Sequence, residues 1–137
     1  MPAKRLKYEE IKEWSRELID RAVVEDDPQV LLRAVVAASM HDPDWKYAQD
    51  LCVRLAAHSH FNVRGNAVLG FGHIARVHGQ LEKKLVQPII AAALVDEDEY
   101  VRGHAYDAME DAKLFLKWKF KKPNKIIIAQ QASRVAD

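Results

Sequence analysis

Cysteine is almost absent from this sequence. The single cysteine, Cys52, cannot form an internal disulfide, so a small disulfide-stapled scaffold is excluded. Unpaired, infrequent cysteine is typical of proteins that work in a reducing compartment, and we therefore predict a cytoplasmic protein. Cys52 falls on the apolar side of a predicted helix. We interpret it as a buried structural thiol and not as a nucleophile.

Long apolar runs and strong net charge are missing as well. No stretch of about 18 uncharged apolar residues exists, which is the length that a membrane-spanning helix needs. The basic residues 1–7 are not followed by an apolar run, so we do not expect a signal peptide. The formal net charge is +1, so the overall charge does not demand a nucleic acid or a membrane surface.

The residue patterns of common catalytic and metal sites are also missing. The chain has no glycine-rich phosphate loop and no serine in a nucleophile-elbow context. Its six histidines include no pair four residues apart on a predicted helix, so we expect no metal. Clustered acids at 26–27 and 96–99 lie in turns, where negative charge stabilises the next helix N-terminus. We therefore expect no enzyme activity and no cofactor.

What the sequence does contain is a repeated helix. The stretch VRGNA at 63–67 returns as VRGHA at 101–105, and Val30 and Ala34 share the same Val-to-Ala step. Intervals of about 20–50 residues between such copies mark stacked repeats. An amphipathic helix precedes each copy, and the first one is predicted from the stripe Tyr8, Ile11, Trp14, Leu18 and Ala22. The chain is thus predicted to be all-α, with three helix–turn–helix units.

Polar residues and glycines predict the helix ends and contacts. Helix starts are expected at the caps Asp27, Asp42 and either Ser59 or Asn62. Gly79 is expected to end the central helix, and Gly70 and Gly72 inside it should let a neighbouring helix come close. Gln49 is predicted to face away from the core.

The second helix of each unit is similar to that of the HEAT repeat family of armadillo-type α-solenoids. The family pattern is an acidic turn, then Val-Arg, then a small residue, and residues 96–105 follow it. The copy at 63–67 lacks the acidic residue, and Leu31 replaces the arginine in the first copy. Pro88 matches the proline that bends the first helix in many HEAT units.

The resemblance covers roughly residues 8–118. It implies a short right-handed solenoid of about three repeats, with the second helices lining a concave face that usually binds proteins or peptides. We assign residues 1–122 to this domain and 123–137 to a C-terminal extension. Residues 126–128 are composed like a strand, but the spacing of Ile127, Gln131 and Val135 favours a short capping helix.

Positions that differ between the copies are the best candidates for partner binding. Equivalent polar positions of the second helices predict these contact residues: Arg33, Asn66, His73, His104, Asp107 and Asp111. This surface is mixed in charge and mildly acidic towards the C-terminal unit, which suits a basic protein. The resemblance to the HEAT repeat family implies instead that Arg64 and Arg102 bridge to acidic turn residues such as Asp96.

Two functions remain open from the sequence. Small solenoids of this type resemble bacterial partner-binding proteins, including immunity proteins that neutralise toxins, so we predict a non-enzymatic protein-binding module. The alternative is nucleic-acid binding by the basic segment 113–125, in which Phe115, Trp118 and Phe120 alternate with lysines. An accessory subunit without a site of its own is a third possibility.

Overall fold

The computed structural model describes residues 14–121, and these form helices only. The six helices are α1 (Arg16–Glu25), α2 (Pro28–His41), α3 (Trp45–Leu55), α4 (Phe61–His78), α5 (Lys83–Ala93) and α6 (Glu99–Leu116). The all-α prediction is confirmed for this range. The predicted extension at 123–137 and the start of the predicted first helix, with Tyr8 and Ile11, lie outside the described residues.

The central helix of the fold is α4. It has its most extensive contacts with α6 and also packs against α2, α3 and α5. The predicted apolar side of α4 is buried completely: Val63, Ala67, Phe71 and Ile74. The core therefore runs along α4. Among the helices of residues 14–121, none has the combined length and apolar character needed to cross a bilayer.

Two glycines of α4 allow this dense packing. A Cβ atom on Gly70 would lie 2.6 Å from the sulfur of Cys52 on α3 and 3.3 Å from Ser39 Cβ on α2. A Cβ atom on Gly72 would lie 3.2 Å from the Cα atom of Ala108 on α6. The predicted packing role of both glycines is confirmed, because a larger residue would push three neighbouring helices away.

The helix caps predicted at Asp27 and Gly79 are confirmed. The Asp27 carboxylate accepts from Gln29 N at 3.0 Å, and Gly79 ends α4 with a φ of 64°. The prediction that Asp42 caps α3 is wrong. The cap is Asp44, whose carboxylate accepts from Lys46 N, while Asp42 accepts from Asp44 N at 2.8 Å and orders the turn.

The start of α1 and the cap of α4 also differ from the predictions. Neither Ser59 nor Asn62 caps α4. His60 does, because its ring Nδ1 accepts from Asn62 N at 3.2 Å. The first helix was predicted to run through Trp14, and this is wrong because the Ser15 hydroxyl accepts from Leu18 N and starts α1 at Arg16.

Gln49 was predicted to face solvent, and this is wrong. The side chain is fully buried on α3. Its Oε1 accepts from Glu82 N at 2.7 Å, and its Nε2 donates to Glu82 Oε1 at 3.0 Å. A buried amide needs such partners. The pair fixes the start of α5 against α3. The spacing of apolar residues along α3 does not predict this tertiary contact.

The glycine packing can be tested by replacing Gly70 with Ala. We expect Gly70→Ala to lower the free energy of unfolding by about 1–3 kcal/mol, because the added methyl group overpacks the contact with Cys52. A Cβ atom on Gly103 of α6 meets nothing within 4 Å, so Gly103→Ala should raise stability by about 0.5–1 kcal/mol through helix propensity. Denaturant unfolding measures both. Equal effects of the two changes would contradict the packing argument.

Candidate functional site

The turn between α5 and α6 is held on α4 by one arginine. Arg64 donates to Asp96 through Nε at 2.9 Å and through Nη2 at 3.0 Å, a two-bond pairing of guanidinium and carboxylate. Its Nη1 donates to the carbonyls of His58 and Ser59. The predicted Arg64–Asp96 bridge is confirmed. Arg102 reaches the same turn differently, since its Nη1 donates to the backbone carbonyl of Asp96 at 2.8 Å.

The surroundings of Asp96 stabilise its charged form. Burial acts to raise the pKa of this carboxyl, but hydrogen bonds from Arg64 and from Asp98 N outweigh burial and lower the pKa. Asp98 in turn caps α6, because its carboxylate accepts from Tyr100 N at 2.8 Å. The acidic turn thus fixes where α6 begins relative to α4.

Asn66 was predicted to contact a partner, and the structure gives it another neighbour. Its side chain lies between α4 and α6 and is only 8% exposed. The amide Nδ2 donates to Asn62 O at 2.8 Å and to the hydroxyl of Tyr100 at 2.9 Å. Asn66 therefore holds Tyr100 of α6 in place and offers little surface of its own.

Tyr100 joins a set of aromatic rings that the sequence predictions missed. Its ring packs where a Cβ atom on Gly65 would come within 2.9 Å. The ring of Phe61 lies nearly perpendicular to it at 5.5 Å between centroids, and the ring of His104 lies at 4.2 Å. Phe61 is 40% exposed. The available signal was that an aromatic residue stands at or next to the first position of both α4 and α6, which matters only once the two helices lie side by side.

Four of the predicted residues lie near Tyr100 or further along the same two helices. His104, Asp107 and Asp111 belong to α6, and His73 belongs to α4. The Asp111 carboxylate lies over Gly72, 2.7 Å from the position of a Cβ atom there, and Asp107 is exposed. We call Tyr100, His104, Asp107 and Asp111 of α6 with His73 of α4 the α4–α6 face. Arg33 lies exposed on α2, outside this pair of helices.

Burial lowers the pKa of both histidines of the α4–α6 face. For His73, burial, the nearby charge of Arg76 and His104 lower the pKa, and Asp111 opposes them. For His104, burial lowers the pKa and Asp107 opposes it. Arg76 Nη2 lies 3.1 Å from His73 Nδ1. Neutral imidazoles beside carboxylates can both donate and accept hydrogen bonds, which suits recognition of a polar protein surface.

Within residues 14–121 we find neither an activated thiol nor a metal-binding cluster. Cys52 is fully buried, and burial raises the pKa of its thiol to about 12, as the structural role predicted for it implies. No group of three His, Cys, Asp or Glu side chains in this part of the chain could hold a metal ion. Trp118 is 8% exposed, which leaves little of it to stack on a nucleic acid base.

Comparison with solved structures finds a chain of similar fold. The chain is similar to a chain in the crystal structure of the CDI complex from Cupriavidus taiwanensis LMG 19424, with a TM-score of 0.67 and 22% sequence identity. The match covers 81% of this chain and 98% of that chain. A search of protein-family models finds no match, and neither does a search of curated proteins. At this identity the match establishes a shared fold.

The Arg64–Asp96 pairing predicts a pH-dependent contribution to stability. At pH 7, Asp96→Asn should lower the free energy of unfolding by about 1–2 kcal/mol, because the charge-assisted bonds are partly screened by solvent. The folded pKa of Asp96 is lowered, so this contribution is present above the unfolded pKa of about 4 and is lost as the pH falls through the folded pKa. Denaturant unfolding from pH 7 to pH 3 measures it. Glu97→Gln, the same change at the exposed neighbour, should stay within about 0.5 kcal/mol.

The two histidines predict a second pH effect with its own readout. Because their folded pKa values lie below the unfolded value of 6.5, protonation is harder in the folded state. Stability should therefore rise with pH through about 5–7 and fall as acid charges the rings. The NMR titrations of His73 and His104 should have midpoints below 6.5. The variant carrying His73→Gln and His104→Gln should show a flatter stability profile, and an unchanged profile would contradict the burial effect.

Proposed function

We propose that this chain is a non-enzymatic, HEAT-like protein-binding module that acts as an immunity protein against a toxin. The observation that carries the proposal is the fold shared with a chain of a CDI complex over 98% of that chain's length. CDI stands for contact-dependent inhibition. A chain found in such a complex has a protein as its partner, and we extend that role to this chain.

The arrangement of helices supports the HEAT-like part of the proposal. The second helices α2, α4 and α6 pack in succession, and α3 and α5 pack beside them. Pro88 lies inside α5, where the family has its helix-bending proline. In a solenoid of this kind α2, α4 and α6 line one continuous surface, and the α4–α6 face is its C-terminal part.

The composition of the α4–α6 face fits a protein interface. Binding energy at such interfaces concentrates in a few aromatic and charged side chains that are held rigidly before binding. Tyr100 is held by Asn66 and flanked by Phe61 and His104. A partner would thus meet aromatic anchors that need no reordering.

The charge of the face indicates a basic partner. Asp107 and Glu110 are exposed on α6, and Asp111 is partly exposed. Glu110 is paired with Lys113 at 3.3 Å, so Asp107 and Asp111 carry the negative charge that remains on α6 at this point. Complementary lysines or arginines on the toxin would speed the encounter and fix the register. We place this recognition in the cytoplasm, where the unpaired Cys52 remains a thiol.

Growth protection tests the proposal directly. The polypeptide encoded next to this chain's gene should inhibit growth when expressed alone, and co-expression of the chain should restore growth. Asp107→Lys should weaken binding of that polypeptide by about 10–100-fold, because like charges then face each other at the interface. Isothermal titration calorimetry measures the affinity, and protection should fall in parallel.

Glu17→Lys on α1 is the matched control, since it makes the same charge change on an exposed helix away from α4 and α6. It should leave affinity and protection unchanged. A neighbouring gene product that neither inhibits growth nor binds the chain would overturn the immunity role. Full protection by Asp107→Lys, or equal loss in the two variants, would overturn the assignment to the α4–α6 face.

A further inference from the structure

A second surface, with the opposite charge, is formed by α5 and the segment that follows α6. The outer side of α5 and the segment 119–121 enclose an open groove of about 730 Å³. Its floor is largely apolar and includes Pro88, Ala91, Leu94 and Phe120. None of the described lining residues is acidic. We call this surface the lysine groove, after the lysines on its rim: Lys83, Lys84, Lys119 and Lys121.

The shape of the lysine groove follows from helical spacing on α5. Lining residues recur at steps of three or four, at 84, 87–88, 91 and 94–95, so they form one stripe along the helix. At 1.5 Å per residue the stripe is about 15 Å long. A single small anion would leave most of this length uncovered, whereas a short peptide would fill it.

The opposite wall of the groove is fixed to the core. Gln87 Nε2 donates to the backbone carbonyl of Lys119 at 2.6 Å, which holds the segment beside α5. Trp118 is buried against the core, and the ring of Phe120 lies 6.4 Å from the Trp118 ring. The groove is therefore formed before any ligand arrives, which lowers the entropic cost of binding.

Two lysines of the groove destabilise the start of α5. Lys83 and Lys84 lie in the first turn of α5, where positive charge is unfavourable to the helix dipole. That helix start has no side-chain cap and no acidic residue in its first turn. Within residues 14–121, none of the four rim lysines forms an ion pair, and the nearby Glu82 binds Lys46 at 2.6 Å instead. The carboxylates of an acidic ligand would offset the unfavourable interaction between these lysines and the dipole of α5.

We propose that the lysine groove is a docking site for an acidic, amphipathic peptide segment of a second partner protein. Apolar side chains of the segment would pack on Pro88, Leu94 and Phe120, and its carboxylates would pair with the lysines on both edges. The inference is independent of the proposed function, because it uses α5 and the segment 119–121 and not the α4–α6 face. Charge complementarity determines the class of occupant.

The apolar floor favours a peptide over nucleic acid. A site for single-stranded nucleic acid combines a charged groove with several aromatic rings on which the bases stack. Here Phe120 is the one aromatic residue in the described lining, and it is half-buried. Aliphatic side chains such as Leu94 instead match the apolar side of an amphipathic segment.

Selection from a random library of peptides about 12 residues long, the length of about three helical turns, tests the proposal on the full chain. Enriched peptides should combine acidic residues with leucine-like anchors. The variant with Lys84→Glu and Lys119→Glu should weaken their binding by at least about tenfold, as measured by fluorescence polarisation. Arg54→Glu, the same charge reversal at an exposed position of α3, should leave their binding unchanged.

Each other outcome counts against the proposal. No enrichment, enrichment of basic or neutral peptides, or equal binding by the lysine variant and the wild type would overturn it. A single-stranded oligonucleotide that binds more tightly than the best peptide, and loses binding in the lysine variant, would assign the groove to nucleic acid. Self-association in sedimentation that disappears in the lysine variant would assign it to a second copy of this chain.

Discussion

The close approach of α4 to its neighbours is the constraint on which the rest of the structure depends. Gly65 accommodates the Tyr100 ring, Gly70 the sulfur of Cys52, and Gly72 the backbone of Ala108. A side chain at any of these positions would separate α4 from α6 or from α2 and α3. The same short distances bring His73 near His104 and Asp111, so the packing of the core and the composition of the α4–α6 face have one cause.

Directional contacts then fix the alignment that the glycines allow. Arg64 holds the α5–α6 turn through Asp96, and Asn66 holds the hydroxyl of Tyr100. Gln49 does the same for the start of α5 through Glu82. Each bond joins elements more than thirty residues apart, so together they order the helices in a way that apolar packing alone would leave adjustable.

The all-α class and most of the helices could be predicted from the sequence, because apolar periodicity is a local signal. The buried side of α4 followed from apolar periodicity, the cap at Asp27 from the residue type before Pro28, and the Arg64–Asp96 bridge from the resemblance to the HEAT repeat family. Predictions failed where a distant partner decided the outcome. Gln49 is buried because it pairs with Glu82, and Asn66 points inward because it binds the hydroxyl of Tyr100. The positions of Gln49 and Asn66 along their own helices predict neither contact.

The candidate site was predictable to the same extent. Comparing the copies led to His104, Asp107 and Asp111 but missed Tyr100 and Phe61, whose contact exists only between packed helices.

Photo-crosslinking tests the central claim, that the α4–α6 face binds the partner, most directly. A photoreactive residue replaces Asp107 on α6 or Asp50 on α3 in the presence of the neighbouring gene's polypeptide. The account predicts a crosslink from position 107 and none from position 50. A crosslink from position 50 alone would contradict it.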